Sequence, residues 1–187
     1  CILKSERVAA IESSAELAPR IRDAALEMLN VQGDVPYHLA ARSWAILEDS
    51  QASQKQCSLA AELARRATQQ VPGCREYELV LALSKYRLGD FAAALQQIVT
   101  VESLPDPYAN VMGEHWSQLM NVSINATLLK AMTEYQLGNK ETASRQLDLA
   151  IKQIALLESD QRAVWKNSKL LEETTVLLGE ETVHGSR

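Results

Sequence analysis

The side chains best suited to chemistry are scattered along the chain. His38, His115 and His184 stand in different segments, and no HExxH, GxSxG, phosphate-binding glycine loop or kinase HRD-type loop occurs. Cys74 with His38 would make a thiol–imidazole pair, but no neighbouring residue lowers the thiol pKa. Cys74 follows Pro72-Gly73 and reads as a small packing residue. Glu12, Glu27, Glu48, Glu102 and Glu114 are single carboxylates on helical stretches, where such groups are ordinarily solvated. Catalysis needs converging groups. The expectation is a non-enzyme with no catalytic residue, no cofactor and no metal.

A net charge of -5 argues against a broad nucleic-acid surface, which would demand excess Lys and Arg. Arg65, Arg66 and Arg75 form a local basic spot without interleaved aromatics, and a solvated helix face explains it. No apolar run approaches the roughly 20 residues that cross a bilayer. Cys1, Cys57 and Cys74 form neither a CxxC pair nor an even disulfide set, so Cys57 and Cys74 read as reduced, semi-buried residues of a cytoplasmic protein. Beginning at Cys1 reads as a fragment of a longer chain. A mature lipoprotein is the competing reading, but Ile2-Leu3 enters a helical pattern rather than a polar tether. Two glycosylation sequons, at Asn121 and Asn125, fall in a helical stretch and read as accidental.

The elements that would position any site are helical. Hydrophobic residues make up 47% of the chain and aromatic ones only 5%, a balance that favours an all-α fold. Leu79, Leu81, Ala82, Leu83 and Tyr86 recur at helical spacing, stop at Gly89-Asp90, and resume with Phe91, Ala94, Leu95 and Ile98. Gly89 suits the left-handed turn that ends a helix, and Asp90 suits the cap of the next. Around this hairpin the spacing predicts a short helix over 5–12 and a second capped by Ser13-Ser14, with Pro19 in its first turn. A third is predicted from Val35 with Asp34 as its cap, and a fourth over about 53–70, ended by Val71-Pro72-Gly73. Further helices are predicted over 122–137, 142–157 and 159–178, with Gly138-Asn139 repeating the earlier stop and Gly179 ending the last. Residues 180–187 read as a frayed tail.

Three segments share a frame. The first carries Trp44, Leu47, Ala60, Ala64, Ala67 and Pro72. The second carries Leu81, Ala82, Tyr86, Gly89, Phe91, Ala94 and Ile98, and the third Ala131, Tyr135, Gly138, Ala143, Leu147 and Ala150. The words Tyr86-Arg87-Leu88-Gly89-Asp90 and Tyr135-Gln136-Leu137-Gly138-Asn139 are near copies. The frame resembles the tetratricopeptide repeat, with departures: Lys55 stands where the first segment's mid-hairpin glycine would be, Tyr86 falls one place late, and Lys140 replaces the aromatic. Segments one and two keep the family period of about 34 residues. Gly89 and Gly138 lie 49 apart, which implies an insertion at 106–120 that interrupts or widens any groove. The order of A-x-x-W-A within Ala40 to Ala45, A-E-L-A-R-R-A (Ala61 to Ala67), Y-R-L-G-D-F-x-x-A-L, Y-Q-L-G and a final L-L-G is similar to the C-terminal repeat region of large bacterial serine/threonine protein kinases and related signalling proteins. That resemblance implies a catalytic domain upstream of Cys1.

The resemblance further implies a right-handed α-solenoid. An N-terminal helix pair (1–33) precedes repeats at 34–73, 74–105 and 121–157, and a capping helix spans 159–179. A protein or peptide would dock on the inner face of each hairpin's first helix. The positions projecting there are Arg42, Asp49, Leu79 and Leu83, then Tyr86 and Arg87, then Asn125, Leu128, Met132, Tyr135 and Gln136. Leu79, Leu83, Leu128 and Met132 have core packing as the competing reading, as do Tyr86 and Tyr135. Trp44 reads as a core anchor, and Trp116 as either core or insertion contact. Two other functions stay open: a spacer or homodimerisation arm using 106–120, and an enzyme whose groups converge only in three dimensions.

Overall fold

Gly89 and Gly138 end their helices in the same way. In the computed structural model, which describes residues 4–14, 18–31, 34–105, 122–157 and 168–184, both have positive φ, +82° and +86°. The Gly89 amide donates to the Tyr86 carbonyl (2.9 Å) and the Asp90 amide to that of Lys85 (3.0 Å). At the second site Gly138 donates to Tyr135 (3.0 Å) and Asn139 to Glu134 (2.8 Å). These paired bonds form the Schellman motif, which satisfies the last free carbonyls of a helix and turns the chain back.

The described residues are all-helical, with no strand among them. They form α1 (Lys4–Ser13), α2 (Pro19–Val31), α3 (Pro36–Leu47), α4 (Gln54–Gln70), α5 (Arg75–Arg87), α6 (Phe91–Ser103), α7 (Val122–Gln136), α8 (Lys140–Ala155) and α9 (Lys169–His184). Three antiparallel pairs, α3/α4, α5/α6 and α7/α8, pack one after another: α4 lies on α5 and α6 on α7, while the first helices α3, α5 and α7 also touch in turn. The same relation therefore holds on both sides of the 106–120 segment. Here α6 and α7 meet directly, as α4 and α5 do, and the 106–120 insertion expected to interrupt or widen a groove, with His115 and Trp116, lies outside the described residues.

Small residues allow this close stacking. Ala40, Ala60, Ala64, Ala67, Ala82, Ala94, Ala131, Ala143 and Ala150 are all fully buried, so backbones approach where a longer side chain would hold them apart. The larger core members Leu39, Leu47, Tyr77, Leu83, Ile98, Leu129 and Met132 fill the remaining space. The buried Ser43 hydroxyl donates to the Ala60 carbonyl (2.8 Å), tying α3 to α4. Lys85, Gln97 and Glu78 form a chain of 2.6 Å bonds across α5 and α6.

Some helix ends match the sequence expectation and others differ. Ser53 and Gln56 make a reciprocal capping box at the start of α4, and Asp90 caps α6 through the Ala93 amide. Asp34 does not cap α3: Val35 occupies that position, and the Asp34 carboxylate instead takes Arg66 at 2.8 Å. Pro36 at the start needs no amide partner, which removes one demand on a capping side chain. Asn139 stands at the N-cap of α8, but its side chain donates to Glu134 (2.6 Å) and makes no cap bond. Gly179 does not stop the last helix, which continues through it to His184. Residues 180–184 of the expected tail are described as helix, and 185–187 lie outside the described residues. A glycine without positive φ weakens a helix but does not end it. At the other end, α1 and α2 pack on each other, and Glu6 of α1 pairs with Arg42 of α3 (3.1 Å).

Candidate partner-binding face

The repeated hairpins bring the C-terminal ends of α3, α5 and α7 to one side of the molecule. The bonds there are specific. Arg87, at the end of α5, donates from Nε to the Leu47 carbonyl at the end of α3 (2.9 Å). Gln136, at the end of α7, hydrogen-bonds the Tyr86 hydroxyl. Tyr86 packs on Phe91 with ring centroids 5.5 Å apart. In the third hairpin Lys140 takes the aromatic's place and lies 5.8 Å from the Tyr135 ring. A cation over the ring face thus substitutes for a ring-on-ring contact.

The last helix crosses this side. It packs chiefly on α7 and less on α8, and two ion pairs carry it back to earlier hairpins. Lys169 reaches Glu48 at the end of α3 (3.6 Å). Glu173 receives both terminal nitrogens of Arg87, one of them at 2.6 Å. The Arg87 side chain is only 7% exposed and that of Glu173 23%. Burial would pull the Arg87 pKa down, but the Glu173 carboxylate overrides it and the net shift is upward, so the guanidinium stays charged. Burial, helped by the nearby Glu173 charge, raises the Tyr86 hydroxyl pKa.

Between α9 and the α3–α4 turn lies a cleft of about 620 Å³. Glu48, Asp49, Ser50 and Gln51 form one wall, and Lys169, Glu172, Glu173, Val176 and Leu177 the other. The Asp49 carboxylate accepts the Gln51 amide (2.9 Å), which fixes the turn. The cleft is acidic at its rim, with the half-exposed Val176 beside it.

The positions expected to face a partner separate into three groups. Leu79, Leu83, Asn125, Leu128 and Met132 are buried. They are enclosed because α5 and α7 have helices packed around them, and α9 covers part of α7. A buried Asn125 also removes the sequon there from any glycosylation of the folded chain. Tyr86 and Arg87 are mostly buried, but they sit at the crossing with α9. Asp49 and Gln136 are exposed and Tyr135 is half-buried, while Arg42 is exposed and engaged by Glu6. Trp116 lies outside the described residues.

Glu173, Lys169, Val176 and Leu177 were not legible as site residues. Glu173 meets a residue 86 positions away, and no local spacing announces such a pair. His38 and Cys74 show no bond to each other. The Cys74 thiol donates to Glu76 (3.2 Å), and burial foremost pushes its pKa to about 12, which disfavours a thiolate nucleophile. Among the described residues no group of three or more His, Cys, Asp or Glu is placed to hold a metal ion, and no helix is long and apolar enough to cross a membrane. No protein-family model matches the chain, and no curated protein or solved structure matches it.

Proposed function

We propose that this chain is a protein-interaction scaffold, a tetratricopeptide-like α-solenoid that binds a peptide or partner helix along the face made by α3, α5 and α7. It acts by binding rather than catalysis, as the non-catalytic part of a larger cytoplasmic signalling protein such as a serine/threonine kinase. The kinase context rests on the sequence words Y-R-L-G-D-F and Y-Q-L-G and their order alone. The observation that carries the interaction reading is the alignment of three first-helix ends beside a cleft of about 620 Å³, with Asp49, Tyr135 and Gln136 reachable from solvent. Repeated hairpins present such faces because each pair covers its neighbour and leaves one side unused.

A displayed peptide library selected on the chain tests this. Selected binders should lose affinity about tenfold on Tyr135→Ala or Asp49→Lys, the loss typical of removing one anchor contact. Binders indifferent to both substitutions would overturn the assignment of this face. A self-association reading is favoured by a different observation: Leu149 and Leu156, seven residues apart at the end of α8, are 45% and 87% exposed. Sedimentation at rising concentration separates the two, since a strict monomer removes the dimer.

A further inference from the structure

We propose that α9 is an intrachain occupant of the partner-binding face, and that the external partner is an amphipathic helix of the same chemistry, an aliphatic stripe carrying one carboxylate for Arg87. This deepens the interaction reading above and rests on it.

The seat of α9 defines what fits. Leu170 and Thr174 are buried one turn apart, with Leu171 and Leu177 partly buried beside them, so one stripe of the helix faces α7. Glu173 adjoins that stripe and closes on Arg87, while Thr175 and Val176 are exposed on α9. Arg87 also holds the Leu47 carbonyl, which fixes its guanidinium as a fork aimed at whatever lies across the ends of α3 and α5. A buried guanidinium is best satisfied by an anion of matching geometry, and a carboxylate supplies two parallel acceptors. The crossing therefore favours a helix that brings one carboxylate to Arg87, while Glu48 nearby takes a cation in the place of Lys169.

The same seat shows that α9 fills it imperfectly. Thr174, fully buried at the centre of the stripe, spends its hydroxyl on the Leu170 carbonyl of its own helix (2.6 Å). A valine there, of nearly the same size, would bury a methyl group where the hydroxyl now stands, with no polar atom to satisfy. Gly179 stands inside the helix, and a Cβ added to it would meet nothing within 4 Å, so it weakens α9 without serving any close approach. Val176 remains half-exposed beside the cleft. A helix with valine at the Thr174 position, and no internal glycine, would displace α9 by making the same ion pair with better burial and a stronger helix. Because the Arg87–Glu173 pair is shared by both ligands, partner binding and α9 release are one exchange.

The test uses the full chain and a fluorescein-labelled peptide of residues 168–184 carrying Thr174→Val and Gly179→Ala, followed by anisotropy. Glu173→Lys in the chain sets two cations together at the crossing, and should raise peptide affinity about tenfold or more. Gly179→Ala, which strengthens α9 without touching the seat, should lower it about fivefold. A peptide that also carries Glu173→Lys should bind none of the three chains. Equal affinity for all three chains overturns the proposal, as does binding indifferent to the peptide's acid. Formation of a dimer by Glu173→Lys that exchanges α9 between copies assigns the face to a second copy and also overturns it. Should the charge reversal fail to fold, the Gly179→Ala comparison decides alone. Library binders lost on Tyr135→Ala but unaffected by Glu173→Lys or Gly179→Ala would leave the scaffold reading standing and sink only the role of α9.

Discussion

Cys74 illustrates how burial overrides residue type. Its side chain sits fully inside the core between the Pro72-Gly73 turn and α5, donating to the buried Glu76. Burial is the leading cause of a thiol pKa near 12, against an ordinary value of 9.0. The folded state therefore holds this proton more tightly than the unfolded chain, and stability should be full below about pH 9 and fall as pH rises toward 12. Tyr86, whose pKa burial also raises, adds to the decline in the same direction. Urea midpoints measured from pH 8 upward should fall less steeply in Cys74→Ala than in the unaltered chain; parallel curves would contradict this. Sequence alone read Cys74 correctly as a packing residue, since it has no thiolate-stabilising neighbour. It read Asp34 wrongly, because an acid before a helix serves equally as cap or as ion-pair partner, and only the distant Arg66 decides between them.

Helix ends were the most legible elements, and the reason is local. Gly89 and Gly138 need no distant partner to adopt φ near +85°; the six-residue bonding pattern around each is complete within the turn. A Cβ added at Gly89 meets nothing within 4 Å, so Gly89→Ala should destabilise through backbone strain alone, by about 1–2 kcal/mol, as read from the denaturation midpoint. No loss would mean that the α5–α6 turn can relax out of the left-handed region. Gly179 shows where the same signal misleads: without positive φ and without a following cap, it is carried inside α9. The first-helix faces were legible as apolar but not as covered. Leu83, Asn125 and Met132 fit both an open groove and a core, and the difference lies in α9 and in neighbouring helices that no single segment encodes.

At the scale of the molecule, repetition made the hairpins readable while their closure by α9 was not. The words around Tyr86 and Tyr135 repeat because two hairpins solve the same packing problem, so three helix pairs and their order emerge from spacing. The return of α9 across the ends of α3 and α5 depends on Arg87–Glu173 and Lys169–Glu48, pairs separated by most of the domain. Under the proposal above, that return gives the chain a state in which its own helix stands in for a partner. The most direct measurement is the distance between spin labels at Ser50→Cys and Val176→Cys, on opposite walls of the same cleft, in a Cys1→Ser background where buried Cys57 and Cys74 resist labelling. One narrow short-distance population is expected in the free chain, shifting to longer distances when the peptide of residues 168–184 carrying Thr174→Val and Gly179→Ala is added. A broad distribution in the free chain, or a short distance unchanged by saturating peptide, would contradict it.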